Sequence, residues 1–292
     1  MKQAEVVLPM QMTHGEGAIW DTRHHRLYWV DILEGTVFVY EPSTSQLREL
    51  SLGQMVGTIV MRRGGGAVVA AANGFAFLDL DNGKLTPIVD PDQGRAGTCF
   101  NDGKCDPAGR FWAGTLHTDG CDAADNSLYR LNTDLSVDRV LDQVAISNGI
   151  VWTSDHRTMY YIDTPTRTVS AFDYDLATGA ITNRRAAIHV ADDLGMPDGM
   201  AIDENDQLWV AMWGGSSVCH FDPKNDQLLD KIAVPTTNVT SCAFGGNDFD
   251  RLYITSSRLQ LSGEVLAREP HAGALFVARP GVAGTASFEF AG

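Results

Sequence analysis

The sequence predicts an all-β fold: a six-bladed β-propeller built from four-stranded antiparallel blades. Three observations carry this expectation. Long apolar stretches of 3.6-residue period are absent, and short runs rich in Val, Ile, Tyr, Phe and Trp recur between Gly, Asp, Asn and Pro. One strand type recurs six times at intervals of 40 to 49 residues, beginning at Leu27, Ala67, Phe111, Met159, Leu208 and Leu252. The 29 glycines supply turns for many short strands.

The elements of each repeat follow in order. An innermost strand comes first: Gly17–Trp20, Gly57–Val60, Gly103–Cys105, Gly149–Trp152, Gly199–Ile202 and Ser241–Phe244. A polar turn leads to the periodic strand just described. A third strand follows at Thr36–Tyr40, Gly74–Leu78, Ser127–Leu131, Thr168–Phe172, Ser217–Phe221 and Gly273–Val277. Several of these run into turn signals such as Asp81-Asn82-Gly83 and Asp222-Pro223, after which a fourth strand fits. Residues 4–8 and 286–290 also read as strands, and they are expected to close the ring by sharing a blade. The whole chain, 1–292, is therefore read as one propeller domain.

Composition excludes several functions. A formal net charge of -15 is unsuited to general nucleic-acid binding, which needs clustered Lys and Arg. Neither a secretory leader nor an apolar run of about 18 residues is visible, so no membrane association is expected. Five cysteines (99, 105, 121, 219 and 242) at irregular spacing suggest no disulfide framework. A reduced, cytoplasmic protein is expected, with no obligate protein partner.

In a propeller the innermost strands line one channel, so equivalent positions converge. The residue before the Gly or small residue of each inner strand is Glu16, Val56, Asp102, Asn148, Asp198 or Thr240, with Asn101 one place earlier in the third repeat. Asn-Gly and Asp-Gly pairs are ordinary turn residues. That explanation does not extend to Glu16-Gly17, because Glu is not a favoured turn residue. Converging carboxylates repel one another and lose solvation, and a bound cation relieves both. Oxygen donors from Glu16, Asn148 and Asp198 suit a hard divalent ion such as Ca²⁺, Mg²⁺ or Mn²⁺.

These segments resemble the SMP-30/gluconolactonase/luciferin-regenerating-enzyme family, whose members are regucalcin-like. The resemblance rests on Gly15–Trp20, Phe100–Thr115, Ser147–Gly149, Pro197–Gly199 and Leu208–Gly215, and it extends over nearly the whole chain. The stretch Thr255–Glu264 through Pro270–Gly273 is similar to the bacterial sugar-lactonase branch. The resemblance implies a catalytic divalent metal held by Glu16, Asn148 and Asp198, with Ca²⁺ the first expectation and Zn²⁺, Mn²⁺, Mg²⁺ and Fe²⁺ alternatives. It implies that Asp198 doubles as general base, that Asn101 lines the site, and that a sugar-acid lactone is hydrolysed to the aldonic acid.

Two departures bear on substrate choice. Cys99 stands where many members carry a substrate-contacting Arg, and Asp119 falls near a second contact that is often Glu. Arg95 is close in sequence. His117, after Gly114-Thr115-Leu116, is expected near the channel mouth as a substrate contact. Trp213 falls near the same mouth, with packing as its expected role. Arg258 and Glu264 lie in the last repeat's loop, a candidate cap. No Gly-x-Ser-x-Gly elbow is present, which argues against a serine hydrolase. Two alternatives stay open: a propeller esterase or organophosphate hydrolase using the same metal site, and a non-catalytic cation-binding propeller.

Overall fold

The computed structural model describes residues 2–119 and 123–292. Cys121 therefore lies outside the described residues. Six β-sheets form a six-bladed propeller, and the helical segments among the described residues are two short 3-10 turns and one six-residue α-helix, Gly263–Arg268. No helix among the described residues is long and apolar enough to cross a membrane.

Blade 1 runs outward through Gly15–Asp21, Arg26–Asp31, Thr36–Glu41 and Gln46–Ser51. Blades 2, 3 and 4 repeat this order from inner strands Val56–Met61, Thr98–Cys105 and Ser147–Trp152. Blade 5 starts at Met196–Ile202, and Lys2–Gln3 pairs in parallel with its outermost strand. Blade 6 takes Val239–Gly245, Arg251–Ser256 and Leu275–Ala278 from the end of the chain and Glu5–Leu8 from its start. Each inner strand packs on the next, and the sixth packs on the first.

The inner strands of blades 1, 2, 4 and 6 are buried at every position, whereas the outermost strands alternate with solvent. Apolar side chains between blades form the core, with Trp29, Trp112 and Trp209 at its largest fully buried positions. Two of these tryptophans are also tied to the turns beneath them. Asp106 Oδ1 accepts from the amides of Ala108 and Arg110 while its Oδ2 accepts from Trp112 Nε1 at 2.9 Å. Asp203 does the same for Asn205, Gln207 and Trp209, at the same offsets. Buried carboxylates thus brace the turn between the first and second strands.

The expectation for the C-terminus needs correction. Residues 286–290 join no blade. The tail crosses the far end of the channel, bridging Asp203 through Gly284, Cys105 through Phe288 and Arg62 through Phe290. Its phenyl rings explain the strand-like alternation: Phe290 is fully buried against the bottoms of the inner strands. Only the N-terminal strand closes the ring.

Candidate active site at the channel mouth

Every inner strand carries one extra residue relative to its partner at the same place. The register shifts fall between Glu16 and Ile19, Val56 and Thr58, Phe100 and Gly103, Ser147 and Ile150, Pro197 and Met200, and Val239 and Cys242. These are six equivalent β-bulges, and a bulge re-aims the side chain it carries. The Asn-Gly and Asp-Gly pairs are therefore not turns, and their glycines meet a packing demand instead. A Cβ on Gly57 would lie 2.3 Å from the carbonyl oxygen of Phe100 and 2.5 Å from that of Asn101. One on Gly149 would lie 2.8 Å from the carbonyl oxygen of Asp198. Glycine lets neighbouring inner strands approach, which draws the preceding residues together.

Glu16, Asn101, Asp102, Asn148 and Asp198 are all buried. Asn148 Nδ2 donates to Thr164 Oγ1 at 2.9 Å, and that hydroxyl donates to the carbonyl of Pro197 at 2.8 Å. This orientation leaves Asn148 Oδ1 as acceptor, and Asn101 Nδ2 reaches it at 3.2 Å while also donating to Ser147 O at 2.8 Å. Glu16 Oε2 accepts from the Gly17 amide, and Asp102 Oδ1 from the Gly103 amide, each at 2.8 Å.

The carboxylates are far from their ordinary state. Burial, then repulsion from Asp102, pushes Glu16 from 4.5 up to about 8. Burial, then Glu16 and Asp102, raises Asp198 well above the carboxylate range. Burial raises Asp102 as well, opposed by the cation of Lys104. The interaction between Glu16 and Asp198 raises the carboxyl of Asp198 further and lowers that of Glu16, against the larger effect of burial on both. Lys104 also donates to Met200 O. His14, two residues before Glu16, is held neutral by burial, its pKa lowered to about 4; its Nδ1 lies 3.0 Å from Ser257 Oγ, and its ring stands edge-on to Trp213.

Three buried oxygens of these site residues lack any hydrogen-bond partner: Asn101 Oδ1, Asp102 Oδ2 and Asp198 Oδ1. Leaving a buried acceptor unpaired costs about 1–3 kcal/mol, more when it is charged. Among the described residues no three His, Cys, Asp or Glu side chains form a metal-holding group. The expected set has only two carboxylates, and its third oxygen comes from the amide of Asn148. Orphaned acceptors, mutually repelling carboxylates and an all-oxygen donor set fit a hard divalent cation.

The other expected residues lie at the rim. Cys99 is buried, with its thiol pushed up to about 11 by burial, so it presents an uncharged side chain. His117 pairs in register with Thr98 and contacts Asp125 Oδ1 at 2.6 Å. Asp119 is exposed in the segment after Phe111–His117. Arg258 donates its backbone amide to Thr13 O, and Glu264 sits in the first turn of the short helix. Thr164 and Lys104 were not anticipated. Thr164 carries no sequence signal, whereas Lys104 lies two places after Asp102 on an inner strand.

The fold and this mouth define a class: six-bladed propellers with an acidic, oxygen-lined site at the converging inner strands. The chain belongs to the SMP-30/gluconolactonase/LRE-like family, whose model matches residues 14–258. It is 40% identical to regucalcin from Danio rerio over 292 residues, covering 99% of each chain. It is 39% identical over 278 residues to a Bacillus subtilis (strain 168) protein named as a candidate sugar lactone lactonase, YvrE, covering 95% of each. A solved structure of regucalcin from Agrobacterium tumefaciens, a calcium-binding protein, superposes with a TM-score of 0.92 at 25% identity, covering 99% of this chain and 97% of the other.

Proposed function

We propose that the protein hydrolyses a sugar-acid lactone to the open aldonic acid, with a divalent metal ion held by Glu16, Asn148 and Asp198. The observation that carries this reading is the trio of partnerless buried oxygens on Asn101, Asp102 and Asp198, gathered with the buried carboxyl of Glu16 at the channel mouth. Family membership and the naming of relatives as lactonases support the choice of reaction. A bound divalent ion supplies Lewis acidity toward a carbonyl oxygen and lowers the pKa of water.

The chain's own residues do the rest. Glu16 and Asp198, both raised by burial, each give up a proton to admit the cation and become carboxylates. Asp198 then accepts a proton from the water that adds to the lactone carbonyl carbon. The bond from that carbon to the ring oxygen breaks, and Asp198 returns the proton to the departing oxygen. Asn101 holds the substrate through its unpartnered Oδ1, fixed by the hydrogen bonds of its Nδ2. No covalent intermediate is required.

A pH-indicator screen of aldonolactones, with and without chelator, tests the proposal. Acid release that stops on chelation is expected, and Asp198→Asn should lower turnover by roughly 10²–10⁴-fold with the fold intact by circular dichroism. No acid release from any lactone, or near wild-type rates in Asp198→Asn, would sink it. The calcium-binding description of the Agrobacterium relative favours one second reading, a cation-binding propeller without turnover. That reading predicts ion binding and no acid release.

A further inference from the structure

A cavity of about 590 Å³ opens between blades 1 and 2 on the face opposite the channel mouth. Its wall draws on the loops at 22–25, 62–66 and 79–84 and on Glu289 of the C-terminal tail. Five of the 22 basic side chains of this acidic chain line it: Arg23, Arg26, Arg48, Arg62 and Lys84. The repeat shows how one of them came to be there. In blades 3 and 5 the turn after the inner strand is braced by a buried carboxylate, Asp106 or Asp203. Arg62 takes that place in blade 2, because its amide donates to Gly66 O as Asp106 N does to Arg110 O and Asp203 N to Gln207 O. The turn it begins is closed by Gly65 and Gly66, both at positive φ. A Cβ on Gly65 would stand in open space, so nothing crowds this part of the wall.

Most charges on the wall are already engaged. Arg23 Nη2 pairs with Glu289 at 2.5 Å and Arg26 Nη2 with Glu41 at 3.2 Å. Asp21 accepts from the Arg23 amide at 2.8 Å and faces His24 Nδ1 at 2.7 Å. Asp79 accepts from the Asp81 amide at 2.8 Å and from Asn82 Nδ2 at 2.7 Å. Arg48, Arg62 and Lys84 are left. Arg48 Nη2 donates to Leu80 O at 2.9 Å. Arg62 Nε donates to Gly292 O at 2.6 Å, and its guanidinium carbon lies 4.4 Å from the centre of the Phe77 ring. Among the described residues none of the three pairs with an Asp or Glu side chain. Asp81, exposed in its loop, is the one wall carboxylate left to oppose them. The unengaged charge is therefore positive.

Two guanidinium forks and an ammonium suit phosphate oxygens, the forks by paired N–H donors and the ammonium as a point charge. The volume exceeds what a phosphate group alone fills and falls in the range of about 300–1,000 Å³ typical of sites for small organic ligands. Val39, Met61, Phe77 and Leu78 give the cavity an apolar side on which an organic body can rest. We propose that this cavity binds a small organic diphosphate, at a site separate from the channel mouth. The proposal does not depend on the lactonase reading.

Calorimetric titration of the full, chelator-washed chain with ADP, AMP and adenosine as probes tests it. One ADP should bind per chain, more tightly than AMP, and adenosine should give no heat. Arg48→Ala and Lys84→Ala should each weaken ADP binding roughly threefold to tenfold, the scale of one partly exposed charge-assisted contact. Both side chains are exposed, so the fold should survive, and Arg48→Gln and Lys84→Gln replace any alanine variant whose melting temperature drops. Arg258→Ala removes the same charge at the mouth rim and should leave ADP affinity at the wild-type value. Absence of ADP binding to wild type overturns the proposal, as does AMP or adenosine bound as tightly as ADP. Wild-type affinity in the Arg48 or Lys84 variant, or an equal loss in Arg258→Ala, overturns it too.

Discussion

In the metal-free protein, raising the pH from 6.5 to 8 is expected to lower the melting temperature. Glu16 ionises near pH 8 in the folded chain and near 4.5 when unfolded. Between those values the folded state holds more protons, so stability falls as pH rises. The slope is about 1.4 kcal/mol per pH unit for one group, or roughly 2 kcal/mol across this window. Asp198, also raised, acts in the same direction. His14 acts in the opposite sense. Its folded pKa of about 4 lies below 6.5, so its contribution grows with pH and is complete above 6.5. The chosen window therefore isolates the carboxylates from His14. At about 2 °C per kcal/mol for a chain of this size, the drop should be roughly 4 °C or more. Differential scanning calorimetry in chelator at pH 6.5, 7.25 and 8 measures it. Adding a divalent ion should flatten or reverse the trend, since binding needs both groups deprotonated. A metal-free melting temperature that is flat or rises over this window refutes the reasoning, as does an equal fall in Glu16→Gln.

Two further outcomes follow from packing. Gly57→Ala puts a methyl against the carbonyls of Phe100 and Asn101, and urea unfolding should show a loss of about 1–3 kcal/mol, with hexonolactone KM raised as Asn101 shifts. Removing residues 2–8 strips Leu275–Ala278 of its outer partner; light scattering should then show concentration-dependent association through the bared edge, whereas full-length chain stays dispersed.

The blades were legible because period-2 strands and turn residues recur at a nearly constant interval. The channel residues were legible because repeat alignment superposes positions far apart in sequence, so that Glu16, Asn148 and Asp198 fell together. What stayed hidden depends on contacts that no local pattern encodes. Residues 286–290 announce by alternation that two phenyl rings seek burial, but not that the channel floor receives them. Thr164 is an ordinary residue after a strand until the fold sets it between Asn148 and Pro197. The role of Gly57 is written in the neighbouring blade's carbonyls.

Blade 6 joins Glu5–Leu8 to Leu275–Ala278, and this sets an order of events. Glu5–Leu8 has no antiparallel partner until Leu275–Ala278 exists, about 270 residues later in the chain. Contacts of such sequence separation form slowly. The proposed ion ligands come from blades 1, 4 and 5, so the mouth is assembled only when those blades have docked around a common axis. An ion held there would fasten blade 1 to the neighbouring blades 4 and 5 across the channel. Acquisition of ion affinity during refolding is thus a clock for ring closure, one that can be read by stopped-flow mixing with a metal-sensitive dye.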